Sequence, residues 1–368
     1  MLLRMEWKTK MMKPSYKVPS MSEIAQIKPN GFSVVSTFSG CGGSCLGYRM
    51  AGFKVLYANE FIPAAQKTYK ANHPESFLDT RDIRIVQPDD ILSIIGKRKG
   101  EIDLFDGSPP CASFSLSGQR EKKWGTKKNY SGVQQKTDDL FFEYTRLLNG
   151  LQPKVFVAEN VKGLVIGSAI GYFKLIFLAL KDCGYNVEVR LLDAKYLGVP
   201  QSRQRLIFMG IRNDLNFNPI YPKPLPYFYS VGDAIGDLQD THIDDESCPL
   251  SKNMRYYYNK TKPGDNFSKI MMKERGKLSF FNHTRLSFCK CSPTITTNSS
   301  NYYHPSIPRL LSINEVKRLS GFPDDFILTG SYAQKFERIG RAVPPVMMYN
   351  IAKTIQEGIL EKIKGDTL

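Results

Sequence analysis

Three polar clusters stand at the ends of apolar runs, and their residue types can do covalent chemistry together. Pro109-Pro110-Cys111 presents a thiol, Glu159-Asn160-Val161 an acid, and Gln201-x-Arg203-x-Arg205 two guanidiniums. A thiolate is a nucleophile, a nearby carboxyl can carry a proton, and a guanidinium can stabilise negative charge building on a substrate. The stretch Asp103-Leu-Phe-Asp-Gly-Ser-Pro-Pro-Cys111 reads as a buried strand over 102–105, stopped by Gly107 and two prolines. Ligands of open α/β sheets bind beyond the carboxyl ends of the strands, so a thiol at a strand exit is placed for reaction. On its own, Pro-Pro-Cys equally fits a free cysteine in a proline-rich turn. A second apolar strand, Phe156-Val-Ala-Glu159, ending in an acid tips the reading toward a site.

The elements that must position these groups alternate. A first strand, Ser33–Thr37, runs into Phe38-Ser-Gly40-Cys-Gly42-Gly43, a glycine turn opening a helix. The next strand, over 55–58, ends at Asn59-Glu60, and Glu60 lies twenty residues after Gly40. That is the distance at which an acid meets ribose hydroxyls in dinucleotide folds. Position 45 is Cys where the fingerprint has its third glycine, which counts against a nicotinamide dehydrogenase. Asp82-Ile83 marks the end of another strand. Thr137 is expected to cap a helix bearing Leu140, Phe141, Tyr144, Leu147 and Leu148 on one face. A helix over 168–180 and strands over 186–192 and 206–211 follow. The alternation predicts an α/β fold, a doubly wound, mostly parallel sheet.

Between 117 and 136 the chain reads as basic and structureless, with Arg120, Lys122, Lys123, Lys127 and Lys128, which suits a lid or simply a solvated loop. Past Arg212 the alternation fails, and a second, smaller domain is placed over 213–307. Its stretches 256–258, 280–285 and 298–301 offer aromatic, basic and amide groups suited to base edges and phosphates, or to ordinary packing. Ser312-x-x-Glu315 is a capping box, and Gly340-Arg-Ala-Val-Pro-Pro345 precedes a last helix over 346–362. Residues 1–30 read as a loosely ordered basic extension.

The 368-residue chain carries a net charge of +16, which suits a polyanionic partner, with nucleic acid first. Seven cysteines without framework spacing suit a reducing cytoplasm. Cys289-x-Cys291 lacks a second pair, so no metal site is expected. No apolar run approaches the ~20 residues of a membrane helix and no signal peptide is visible, so a cytoplasmic protein without membrane association is expected.

Taken in order, Phe38-Ser-Gly-Cys-Gly-Gly43, Pro109-Pro110-Cys111, Glu159-Asn160-Val161, Gln201-x-Arg203-x-Arg205 and Gly340-Arg-Ala-Val-Pro-Pro345 resemble the motifs of the cytosine-5 DNA methyltransferases of bacterial type, over roughly 32–356. The resemblance implies a methyltransferase fold, with catalytic and cofactor-binding residues in 31–212, target recognition in 213–307 (readers mostly between about 265 and 290) and a return to the catalytic domain over 308–368. It implies S-adenosylmethionine as cofactor, held by Phe38, Gly40, Gly42, Gly43, Glu60, Asp82, Ile83, Pro109, Leu140, Arg341 and Ala342. Phe38 would pack on the adenine, Glu60 bind the ribose and Asp82 the adenine amino group. The family usually has Asn where this chain has Arg341. Cys111 would add to carbon 6 of a cytosine flipped from duplex DNA, making carbon 5 nucleophilic. Glu159 would donate to nitrogen 3, Arg205 stabilise oxygen 2, and Arg203 hold the site or a phosphate. Double-stranded DNA is the expected partner of a monomer, with a cognate restriction endonuclease. The alternatives are an RNA cytosine-5 methyltransferase and a catalytically inert DNA-binding relative, the latter disfavoured by intact Cys111, Glu159 and Arg205.

Overall fold

A computed structural model describes residues 13–110, 128–130, 133–135, 139–167, 169–238, 250–276 and 282–365. Strands β1 (Ser33–Thr37), β2 (Lys54–Asn59), β3 (Phe77–Asp79) and β4 (Leu104–Gly107) open the main sheet. A separate antiparallel hairpin follows, β5 (Lys128–Tyr130) with β6 (Val133–Gln135), so this part of the loop is not structureless. Strands β7 (Val155–Val161), β8 (Tyr185–Asp193) and β9 (Gln204–Arg212) complete a seven-stranded sheet of order β3-β2-β1-β4-β7-β9-β8. Pairing is parallel from β3 to β7, while β9 runs antiparallel to both β7 and β8. The chain builds outward through β1, β2 and β3, then resumes with β4 on the other side of β1. The order reverses there, and the crevice beyond the carboxyl ends of β1 and β4 is where such sheets bind ligands.

Helices α1 (Met21–Ala25), α2 (Gly43–Met50), α3 (Pro63–Asn72), α4 (Pro88–Ile95), α5 (Leu140–Leu151) and α6 (Ala169–Asp182) belong to the first half. Side chains of a strand alternate between its faces, so neighbouring residues supply two cores. Val34, Leu104, Val155 and Val157 pack with Tyr48, Met348 and Ile351, whereas Val35, Phe105 and Phe156 pack with Tyr144, Leu148 and Ile176.

The region past Arg212 holds short elements: α7 (Val231–Ile235), α8 (Lys252–Lys260), α9 (Ser268–Arg275), and β10 (Thr284–Arg285) paired with β11 (Tyr302–Tyr303). Its own small core gathers Tyr257, Tyr258, Phe267, Met271, Tyr303 and Leu310. The chain returns through α10 (Ile313–Leu319), α11 (Tyr332–Arg341), α12 (Pro345–Ile355), a π turn (Gln356–Leu360) and α13 (Glu361–Gly365). The Ser312/Glu315 capping box forms, and Arg309 clamps the Glu315 carboxylate with two contacts of 2.8 Å. Helix α12 and the residues just before it approach α2 closely at two glycines. A Cβ on Gly43 would fall 2.3 Å from Val343 O, and one on Gly47 would fall 2.6 Å from Pro345 O.

Several expectations are corrected. The strand expected over 102–105 is Leu104–Gly107, carrying apolar burial right up to the proline turn. The strand expected to end at Asp82-Ile83 stops at Asp79, three residues earlier. The helix expected from a Thr137 cap begins at Leu140 behind Asp139, whose carboxylate is drawn to Arg84 at 2.8 Å instead of capping; Thr137 lies outside the described residues. Gly340 and Arg341 end a helix, α11, that the glycine conceals, and the last helix starts at Pro345 and is broken by a π turn. Of the extension, residues 13–30 are packed, not loose. Lys13 pairs with Asp233 at 2.7 Å, Tyr16 Oη donates to Arg318 O at 2.7 Å, and Ile24 is 3% exposed. A five-residue helix with one buried residue leaves no period to read. Among the described residues, no helix is long and apolar enough to cross a membrane.

Candidate active site

At the carboxyl ends of β1, β4 and β7 lies a cavity of about 720 Å³. The first wall is the glycine turn. Phe38, Gly40 and Gly42 all have φ in the left-handed region, at 54°, 58° and 90°. Glycine takes that conformation freely, but Phe38 is strained by roughly 1–3 kcal/mol, as functional turns often are. A Cβ on Gly42 would fall 2.2 Å from the buried His73 ring. Gly42 lies behind the cavity wall, whereas Phe38, Gly40 and Gly43 line it.

Glu60, at the exit of β2, turns back under this turn. Its Oε2 accepts from Gly40 N at 2.7 Å and its Oε1 from Ile62 N at 2.6 Å. Burial pushes its carboxyl up, against the pull of those two N–H donors and of the Arg338 and Arg341 guanidiniums. Asp82, Ile83, Pro109, Leu140, Arg341 and Ala342 complete this end of the lining. Asp82 is ion-paired with Arg84 at 3.1 Å, and Arg341 with Glu337 at 2.7 Å.

The second wall is made by β7 and β9. Their antiparallel register sets Glu159 opposite Ile207 and Val161 opposite Arg205, so Glu159 and Arg205 are diagonal neighbours on one face. Arg205 Nε stands 2.5 Å from Glu159 Oε1, with both side chains only 12–13% exposed. Arg203, just before β9, is 2% exposed and spans the wall, donating to Ile295 O and Gly340 O at 3.0 Å each. Burial and neighbouring Arg205 pull Arg203 down to about 9, partly opposed by Glu159. Of the two expectations for Arg203, holding the site or a phosphate, its contacts fit the first: it is turned onto protein carbonyls and ties three segments of wall together.

Cys111 lies outside the described residues, as do Ser115, Ser117 and the basic stretch to Lys127. The described chain before Cys111 ends at Pro110. Pro109 and Pro110 turn out of β4 into the cavity lining, and Asn160 Nδ2 donates to Pro109 O at 3.3 Å. Asn160 therefore fastens the end of β7 to the turn before Cys111. Its role is invisible in the sequence, where it stands only beside the acid.

One further feature escapes sequence reasoning. Asp106, in the middle of β4, is 2% exposed and accepts from Ser36 Oγ at 2.9 Å and Tyr48 Oη at 3.1 Å. Burial pushes it up to about 7, helped by the Glu159 charge and opposed by the two hydroxyls. An acid inside an apolar strand was the available signal. The segment 294–297 also lines the cavity; it overlaps Ser292-Pro-Thr-Ile-Thr296, whose sequence resembles a family segment just before the chain re-enters the catalytic domain.

Of the two readings open for the aromatic, basic and amide groups of 213–307, base and phosphate contact or ordinary packing, most of the described ones fit packing. Tyr257 and Tyr258 are in the small core, because a three-tyrosine run on one helix cannot leave every ring outside. Arg285 donates to Pro305 O and Thr261 O, and Asn301 is buried. Tyr256 is 43% exposed but bonded to Glu274; Phe280 and Phe281 lie outside the described residues. Among the described residues no three metal-binding side chains converge.

Comparison with known proteins gives a consistent result. The sequence model of the C-5 cytosine-specific DNA methylases matches residues 32–357. The chain is similar to the Type II methyltransferase M.NgoPII of Neisseria gonorrhoeae, 31% identical over 351 residues, covering 89% of this chain and 96% of that protein. It is similar also to M.MthTI, a Type II methyltransferase of Methanothermobacter thermautotrophicus, 32% identical over 344 residues, covering 89% and 98%. In fold it resembles the crystal structure of a candidate DNA modification methyltransferase encoded within an E. coli prophage. That likeness has a TM-score of 0.72 at 24% identity, covering 88% of this chain and 98% of the other.

Proposed function

The chain belongs to the C-5 cytosine-specific DNA methylases and is a DNA cytosine-5 methyltransferase; from that premise we propose that it uses S-adenosylmethionine and works through a covalent adduct of Cys111 with a flipped cytosine. The observation that carries this is the meeting, in one cavity at the strand-order reversal, of the glycine turn, the Pro109-Pro110 exit, Glu159 and Arg205.

The residues fit the cofactor. The cavity has the size of a small-molecule site, and its glycines admit close backbone approach. Phe38 and Ile83 offer apolar surface to a purine, and each Glu60 oxygen keeps a lone pair for a ribose hydroxyl. Asp82, next to Ile83, is placed for the purine amino group. When bound, S-adenosylmethionine supplies an electrophilic methyl group on a sulfonium.

Carbon 5 of cytosine is a poor nucleophile until a thiolate adds to carbon 6. The Cys111 thiolate forms that bond, and charge moves onto the ring at nitrogen 3 and oxygen 2. Glu159 Oε1 already faces Arg205, which leaves Oε2 to hold the proton donated to nitrogen 3, while Oε1 accepts from the exocyclic amine. Arg205 reaches oxygen 2 from the same pair. Arg203, engaged with Ile295 and Gly340, keeps the wall in place rather than touching the base. After carbon 5 is methylated, a water molecule acting as base takes its proton, the freed electron pair re-forms the 5,6 double bond, and Cys111 leaves carbon 6 as the thiolate. A base inside a duplex is covered on both faces, so the cytosine is rotated out.

The exposed basic chain surface supplies phosphate contacts, and residues 213–307 supply target recognition. A cognate restriction endonuclease and action as a monomer complete the proposal. Expression in a host lacking cytosine methylation, followed by bisulfite sequencing, tests it. A recurrent short sequence protected from conversion is expected, and its absence overturns the activity proposed for this cavity.

A further inference from the structure

Strand β11 is only two residues long, and its tyrosines point in opposite directions. Tyr303, 1% exposed, enters the small core, where its ring lies 4.6 Å from Phe267 and its hydroxyl 2.7 Å from His283 Nδ1. Tyr302, 4% exposed, enters the core shared by α10 and α11, stacked on Phe336 at 5.9 Å and 18°.

The Tyr302 hydroxyl meets the cavity wall. It donates to Thr294 O at 2.7 Å, accepts from Thr296 N at 2.9 Å, and lies 3.0 Å from Thr296 Oγ1. The wall segment has no regular structure, so its shape depends on such ties. Gln201 and Arg203 hold Ile295 from the other side, through its N–H and its carbonyl. On its own edge, Tyr302 pairs with Thr284 of β10, inside the window read as target-recognising.

We propose that Tyr302 is a positioning residue that fixes the 294–297 wall of the base site to the β10–β11 ladder of the small region, so that methyl transfer depends on its hydroxyl. This rests on the reading of Glu159 and Arg205 as the base end of the cavity. The Tyr302 hydroxyl touches no reacting atom; it acts by holding Thr294 and Thr296 in the cavity wall that Glu159 and Arg205 also line. A rigid wall matters because misplacement of about 1 Å can cost ~100-fold in rate.

The test uses the full chain, S-adenosylmethionine and duplex DNA carrying the sequence mapped by bisulfite reading. Tyr302→Phe keeps the ring and removes only the hydroxyl. Single-turnover methyl transfer is expected to fall by roughly 10- to 100-fold. Cofactor and DNA affinities should stay within about twofold, because their contacts are not removed. Tyr185→Phe is the control. It removes a buried hydroxyl that donates to Pro153 O at 2.7 Å, at the amino end of β7 and away from the cavity. It should transfer at the native rate. A native rate in Tyr302→Phe, or an equal loss in Tyr185→Phe, overturns the proposal. Should Tyr302→Phe fail to fold, Thr296→Ala removes one tie alone, and a native rate there also counts against it. Glu159→Gln, run alongside, separates this from the reading beneath it. If Glu159→Gln is as fast as the native chain, the base-end reading fails. If it is slow while Tyr302→Phe is native, only the role of Tyr302 fails.

Discussion

The two ends of the cavity are made of different material. Beside β1 and β2, main-chain N–H groups and left-handed backbone do the shaping, and Glu60 serves that backbone by accepting from Gly40 and Ile62. Beside β7 and β9, charged side chains face one another, with Glu159 against Arg205 and Arg203 buried on carbonyls. The first end is set by conformation and is sensitive to crowding. The second is set by charge and burial, and is sensitive to chemical identity. Substitutions at one end should therefore separate cleanly from those at the other.

The sharpest break is Cys111→Ser. A serine hydroxyl is far less ionised than a thiol near neutral pH, so turnover should fall by more than ~1,000-fold. Cofactor affinity, which belongs to the other end, should not move. Duplex DNA with 5-fluorocytosine at the target should trap the native protein as a denaturation-resistant adduct mapping to Cys111. An adduct at Cys41 or Cys45 would refute the assignment.

Asp106 lies on the strand between the two ends, and its effect is on stability. Its carboxyl titrates at about 7 in the fold against 3.8 ordinarily, so the folded state holds the proton more tightly. This favours folding at low pH, and the stability is lost as pH rises from about 4 through about 7. The difference corresponds to at most roughly 4 kcal/mol. Asp106→Asn should flatten that slope and be relatively more stable at pH 8 than at pH 5, by urea unfolding. An unchanged slope would show that Asp106 does not carry it.

Glu60→Ala breaks the conformational end. Cofactor affinity should weaken by about 1–3 kcal/mol, the usual loss for a hydrogen bond to a charged group, with cofactor-free DNA affinity unchanged. Isothermal calorimetry measures the first and fluorescence anisotropy the second. Arg341→Asn, restoring the residue common in the family, should have the smallest effect. Its guanidinium is held by Glu337 and its side chain is 30% exposed, so the change in cofactor affinity should stay below about 1 kcal/mol and shrink with salt. A larger, salt-insensitive loss would make Arg341 a direct cofactor contact.

The same contrast explains what the sequence discloses. Glu159 and Arg205 are legible because an acid and a base stand at the ends of apolar runs, and strands declare their ends by composition. Gly40 and Gly42 are legible because their conformations admit few other residues. Asn160 and Tyr302 are not, since an amide and a tyrosine become specific only through partners 51 and 6–8 residues away, on other elements. The extension over 13–30 escapes for a related reason. Its contacts with Asp233, Arg318 and Asp325 join stretches separated by more than 200 residues. The alternation of strands and helices, by contrast, is local, and it predicts the mostly parallel sheet.

The contact of Gly43 with Val343 sets a timetable for synthesis. Chains emerge from the ribosome amino end first, at about 5–20 residues per second. The glycine turn is translated early, but the backbone on which it rests follows 300 residues later. A nascent chain therefore waits roughly 15–60 seconds with that helix face uncovered. Fragments ending before Val343 lack the floor of the turn, so methylating capacity in a cell should track chains that have passed this point and not shorter ones.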